Sequence, residues 1–184
     1  MEIILVSASP RRRELLTLAG IEYQVIPSSC EELLPPDITP WEAVKCLAEQ
    51  KCEDVFSQYP DCTVIAADTV VALGNVILGK PENSEDAENM LRMLSGKVHT
   101  VYTGVCIMQK GRKELFYSAS EVEFYELSDD EIRDYVACGE PMDKAGAYGI
   151  QGKGSLLVKR INGDYFNIVG LPIAELSRRL KKFL

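Results

Sequence analysis

The residues best suited to chemistry begin near the start of the chain, in Ser7-Ala8-Ser9-Pro10-Arg11-Arg12-Arg13. Ser7 and Ser9 are small and offer hydroxyls. Ser9 suits a helix N-cap, and Pro10 suits the first helical position because it lacks an N–H that would be orphaned there. Three arginines in a first helical turn have the wrong sign for the helix dipole, which costs roughly 0.3–1 kcal/mol per charge. An anion held by backbone N–H groups, the two hydroxyls and the guanidinium forks offsets that cost. The plain alternative is a solvated basic turn.

Other candidates lie further along. Thr63-Val64-Ile65-Ala66-Ala67 reads as a buried strand, with Asp68 expected at its end, where α/β folds present reactive groups. A carboxylate there needs a metal, a cation or a raised pKa. With Glu31 or Glu32 it can hold Mg²⁺, which takes oxygen ligands and phosphates and keeps waters. Otherwise Asp68 is a turn residue that caps the next element. Lys51 falls on the apolar stripe of a helix, so it either snorkels along that surface to water or points at something negative. Lys80, on the bare backbone between Gly79 and Pro81, either reaches a phosphate or is an exposed turn lysine. Gln151 offers one acceptor and two donors from a glycine-rich context, which suits a uracil-type edge or simply water. His99, the only histidine, sits in a strand pattern and reads as structural. There is no G-x-S-x-G elbow, no P-loop and no G-x-G-x-x-G fingerprint.

Together these residues read as cations around a polyphosphate, carboxylates for a metal and a water, and a polar group for a base. Hydrolysis of a nucleoside triphosphate fits, with the water activated by metal coordination or by Asp68 as general base. Arg12, Lys51 and Lys80 would meet the charge developing on the phosphates.

The elements that must position them follow from pattern. Ile3–Val6 predicts a strand covered on both faces, and Leu15, Leu16 and Ala19 continue the first helix to a stop at Gly20. Tyr23–Ile26 predicts a second strand, followed by an acidic loop to Pro40. Thr39, Pro40 and Glu42 form a capping box, and Val44, Leu47, Ala48, Cys52 and Val55 give the stripe of the next helix. Gly74-Asn75 signals a hairpin after Val70–Leu73. A third helix starts near Ser84 and stops at Gly96. Two long strands, 98–108 and 114–127, precede a capping box at Ser128–Glu131. The glycine-rich stretch 140–154 is expected to be a loop that cannot pack a core. Leu156–Ile161 and Tyr165–Val169 are expected to form a hairpin, and Pro172 opens a terminal helix. Strict βαβ alternation breaks after Gly96, so the expected class is α/β with a mixed sheet.

The 184 residues suffice for one domain, pinched into two lobes, with 46% hydrophobic and 26% charged residues. No apolar run approaches the roughly 20 residues needed to span a bilayer, and no secretory signal is visible, so a cytoplasmic location is expected. A net charge of −8 argues against general nucleic-acid or membrane binding. Six cysteines without a C-x-x-C pair, beside one histidine, read as free thiols in a reducing compartment rather than a zinc site.

At this point the chain resembles the Maf family of nucleoside triphosphate pyrophosphatases, essentially end to end. The resemblance rests on Ser7-Ala8-Ser9-Pro10-Arg11-Arg12, Ala67-Asp68-Thr69-Val70-Val71, Gly79-Lys80-Pro81, Ser95-Gly96-Lys97-Val98-His99 with Thr103-Gly104, and 143–152, Asp-Lys-Ala-Gly-Ala-Tyr-Gly-Ile-Gln-Gly. It implies cleavage between the α- and β-phosphates, a divalent metal (Mg²⁺, Mn²⁺ or Co²⁺), and a mixed, twisted sheet flanked by helices in two lobes about a central cleft. It also implies a cytoplasmic homodimer that clears unwanted nucleotides. Carried onto this sequence, Asp68 is the proton acceptor and, with Glu31 or Glu32, serves the metal. Arg12, Thr69 and Gln151 occupy positions associated with substrate choice, and Ser7, Glu31, Lys51 and Lys80 line the cleft. The 143–152 segment looks like the branch acting on dTTP and UTP. A nucleotide-binding regulator of cell division that does no chemistry is the alternative.

Overall fold

The computed structural model describes residues 2–183. In chain order the elements are β1 (Ile3–Val6), α1 (Pro10–Leu18), β2 (Gln24–Val25), α2 (Pro40–Gln58), β3 (Thr63–Leu73), β4 (Val76–Leu78) and α3 (Ser84–Leu94). Then come β5 (Val98–Gln109), β6 (Arg112–Phe124), α4 (Asp129–Ala137), β7 (Val158–Asn162), α5 (Tyr165–Val169) and α6 (Ile173–Leu180). The strand order is β2-β1-β3-β5-β6-β7, with β4 also on β3. β1 runs parallel to β2 and β3, with Ile3 opposite Thr63 and Val6 opposite Ala66. β4 and β7 are antiparallel to β3 and β6. The sheet is therefore mixed, as the broken alternation requires. Among the described residues no helix is long and apolar enough to cross a membrane.

The chain divides into two compact units. One comprises the chain up to Thr69, Thr103–Ser118 and the chain from Gly170 on. In it, Ala48, Cys52 and Val55 of α2 pack on Ile4, Val6, Val64, Ala66, Cys106 and Met108. Each Ile, Val and Met among them, fully buried, contributes about 1.5–3 kcal/mol, and each alanine less. The register of α2 against β5 depends on Gly104, because a Cβ there would stand 2.2 Å from the Val44 carbonyl oxygen. The α2 start is the capping box read from sequence: the Glu42 carboxylate accepts from the Thr39 N–H at 3.3 Å. α1 ends with Gly20 at φ +69°, donating to Thr17, while Ile21 donates to Leu16. This paired closure satisfies the last carbonyls and needs the left-handed residue.

The other unit comprises Val70–Tyr102 and Ala119–Val169. Asn83 caps α3 through its side chain, and Ser128 caps α4 with Glu131 reaching back. Leu91, Leu94, Ile132 and Tyr135 of these helices are buried. His99, Phe124 and Tyr148 meet edge to face, their ring centres 4.7–5.3 Å apart.

Three expectations are corrected. First, Asp68 does not end a strand. β3 runs on to Leu73, so Asp68 lies in its middle. β1 pairs with 63–66 and β4 with 71–73, so the strand's neighbour on that edge changes across 67–70. Second, the glycine-rich stretch does pack: Pro141, Ala147, Tyr148, Ile150 and Gly154 are buried among short 3₁₀ turns. Its organiser is Glu140, whose carboxylate accepts from the Lys153 N–H (3.0 Å), the Gly154 N–H (3.1 Å) and the Tyr135 hydroxyl (3.0 Å). Burial would raise the Glu140 pKa, but these donors hold it below its ordinary value. Third, Tyr165–Val169 is a helical turn, not a strand. Asp164 caps it by accepting from the Phe166 N–H at 2.8 Å, and the buried Asn167 amide donates to the Val101 carbonyl and the Ser120 hydroxyl.

Candidate active site

The site grows from the carboxyl end of β1. The Ser7 hydroxyl, buried, accepts from the Ser9 N–H at 3.1 Å and turns the chain into α1. Ser9 stands at the N-cap as expected, but its side chain makes no capping bond. Pro10 takes the first helical position, and Arg11–Arg13 follow with no acidic residue in the first turn.

Arg12 is pinned rather than free. Its Nε donates to the Gly170 carbonyl at 2.9 Å and its Nη2 to the Thr69 hydroxyl at 3.0 Å. Thr69 in turn shares a 2.9 Å hydrogen bond with the Thr103 hydroxyl. Burial lowers the guanidinium pKa, Asp68 and Glu32 oppose that, and Arg11 adds to it. Arg12 therefore lies within electrostatic reach of both carboxylates and stays charged.

Lys51 supplies the centre. The stripe of α2 carries it inward, and Nζ stands 2.5 Å from Asp68 Oδ1 and 2.8 Å from Glu32 Oε1. Burial alone would lower its pKa, but the two carboxylates hold it above the ordinary lysine value. Of the two readings open in the sequence, Lys51 points at negative charge. Glu32 makes the ion pair; Glu31 is exposed and takes no part in it.

The chain's fitness for a divalent cation can be judged from these donors. Among the described residues no three His, Cys, Asp or Glu side chains cluster as a metal cage. Two carboxylates, Asp68 and Glu32, do come together, both against the Lys51 ammonium, with their other oxygens left for a cation beside it. That set suits a hard cation that brings phosphate oxygens and waters with it.

Lys80 and Gln151 belong to the other unit. Lys80 is exposed beside Gly79, whose carbonyl accepts from the Gly146 N–H at 3.0 Å. Gln151 is exposed just before the turn that Glu140 organises. His99 is structural, as its strand pattern implied: its Nε2 bonds the Tyr148 hydroxyl at 2.7 Å, and burial lowers its pKa to about 4. Sequence reasoning missed the Gly170 carbonyl and gave Thr103 no role beyond a motif letter. Neither partner of the Arg12–Thr69 pair carries a local signal, since Gly170 lies 158 residues from Arg12.

The chain is similar to known proteins over nearly its whole length. A family model described as Maf-like protein matches residues 2–183. A Bacillus velezensis protein named dTTP/UTP pyrophosphatase is 53% identical over 181 residues, covering 98% of this chain and 96% of that one. A protein of the same name from Bacillus thuringiensis subsp. konkukian is 51% identical over 182 residues, covering 99% and 95%. Among solved structures, the Staphylococcus aureus Ham1 protein superposes with a TM-score of 0.50 at 18% identity, over 67% of this chain and 72% of that one, a likeness of fold. With a family match over nearly all of its length and relatives sharing half its residues, the chain belongs to the Maf-like protein family.

Proposed function

We propose that this protein is a nucleoside triphosphate pyrophosphatase that hydrolyses dTTP and UTP to the nucleoside monophosphate and pyrophosphate. The observation that carries the reading is the meeting of Asp68, Glu32 and Lys51 within reach of the Arg12–Thr69 pair. The name borne by relatives at about half identity supports the choice of dTTP and UTP.

A divalent cation, Mg²⁺, Mn²⁺ or Co²⁺, held by Asp68 and Glu32 would neutralise phosphate charge and make a bound water more acidic. Asp68 accepts the proton of the attacking water as its oxygen bonds to the α-phosphorus. The bridging oxygen leaves with its electron pair on pyrophosphate. Lys51 fixes the Asp68 carboxylate and balances the charge it shares with Glu32. Arg12, already immobilised by Gly170 and Thr69, meets phosphate oxygens with its remaining N–H donors without first losing rotamer freedom. Ser7, Ser9 and Arg11 complete the anion contacts at the start of α1, Lys80 adds a cation, and Gln151 reads the base edge. The acidic protein works as a cytoplasmic homodimer in nucleotide housecleaning; its six free thiols suit a reducing compartment.

The test is product analysis. Purified protein with dTTP and Mg²⁺ is expected to release dTMP and pyrophosphate in equal amounts. Orthophosphate would make it a phosphatase instead, and binding without turnover would make it a regulator.

A further inference from the structure

Glu32 reaches Lys51 from an irregular, exposed loop between β2 and α2. No apolar anchor fixes that loop beside it: the next two side chains, Leu33 and Leu34, are 62% and 41% exposed. An unanchored loop residue would have to lose its backbone freedom each time the site formed.

We infer that Gln50 and Asp54 are the positioning residues that hold Glu32 in the site. They lie one turn apart on α2 and bracket Lys51 in sequence. The Gln50 amide grips one residue at both its polar atoms: Oε1 accepts from the Leu33 N–H at 3.0 Å and Nε2 donates to the Leu33 carbonyl at 2.6 Å. The second Nε2 hydrogen goes to Cys46 Sγ at 3.0 Å. On the other side of Glu32, Asp54 Oδ2 accepts from the Ser28 hydroxyl at 2.7 Å and the Ser29 N–H at 3.0 Å. Ser28 Oγ also takes the Cys30 N–H at 3.1 Å. The loop is thus fastened before and after Glu32 to the same helix that carries Lys51. One rigid element sets both members of the Glu32–Lys51 ion pair, so the spacing between them is fixed before substrate arrives.

The inference rests on the proposed role of Glu32 beside Asp68 in holding a divalent cation. The experiment compares wild type with Gln50→Met, Asp54→Ala and Glu32→Gln. Hydrogen exchange is followed at the Leu33 amide, Mn²⁺ affinity is titrated with the non-cleavable α,β-methylene analogue of dTTP present, and KM for Mn²⁺ and kcat are measured. Gln50→Met is expected to speed exchange at Leu33 and to weaken Mn²⁺ about tenfold, as loss of a residue supporting a ligand does. Its kcat at saturating Mn²⁺ should stay within about twofold of wild type. Asp54→Ala should act the same way from the other flank. A merely structural role would lower the melting temperature and leave Mn²⁺ affinity alone. Unchanged Mn²⁺ affinity in Gln50→Met and Asp54→Ala, with affinity weakened in Glu32→Gln, overturns the positioning role while sparing the metal reading. Unchanged affinity in Glu32→Gln overturns both.

Discussion

Lys51 and Asp68 meet from the middle of a helix and the middle of a strand: Nζ lies 2.5 Å from Oδ1, with both side chains less than a fifth exposed. A cation and a carboxylate so placed are costly to separate, because removing one leaves the other poorly solvated. The pair is therefore both a structural contact and the feature from which the chemistry is derived.

The first prediction concerns Lys51→Met in nucleotide-free protein without metal. Asp68 and Glu32 then face each other with no cation between them, and stability should fall by about 1–3 kcal/mol. Added Mn²⁺ should restore part of the loss, a recovery read from melting curves with and without the metal. Wild type should behave differently at high pH. The raised pKa of Lys51 means that its contribution is complete below the ordinary lysine value of 10.5 and is lost as pH rises past the folded value. The variant should show no such alkaline loss. Equal melting curves in wild type and variant would contradict the account.

His99 makes stability sensitive to acid. Burial lowers its pKa to about 4 from 6.5, so the folded state resists the proton that the unfolded chain accepts. Its contribution is complete above pH 6.5 and is lost as pH falls toward 4. At roughly 1.4 kcal/mol per pH unit across that window, the loss reaches about 3 kcal/mol. Urea unfolding at several pH values should show this slope in wild type and a flatter one in His99→Gln. The same slope in both would remove His99 from the acid response.

Much of this was legible because it is local. Pro10 at a helix start, the box of Thr39 and Glu42, and the α2 stripe each declare themselves within a few residues. Lys51 lay on that stripe, so its inward direction could be read, though not its partners. Asp68 was placed wrongly in β3 because the break after Ala67 is a change of pairing partner, which leaves no mark on the strand itself. Tyr165–Val169 has strand composition but folds as a helical turn, since Asp164 and Asn167 offer hydrogen bonds that outweigh intrinsic preference. Glu31 and Glu32 are chemically equal in sequence. Only the folded chain, in which Glu32 Oε1 stands 2.8 Å from Lys51 Nζ, shows which one is turned toward Lys51.

Gln151→Glu tests base reading. An acceptor-only side chain loses the two donors of the amide, and Gln151 is exposed, so the fold should barely notice. The kcat/KM for UTP and dTTP should drop by about tenfold or more while the melting temperature moves by only a few degrees. Unchanged kcat/KM for both nucleotides would refute the role.

The most direct measurement is the rate of pyrophosphate release from dTTP by wild type and Asp68→Asn at saturating Mg²⁺. The substituted amide still fits beside Lys51 but cannot take the proton of the water, so the rate should fall about 10²- to 10⁴-fold with the fold intact by circular dichroism. A folded Asp68→Asn protein that released pyrophosphate at the wild-type rate would contradict the account.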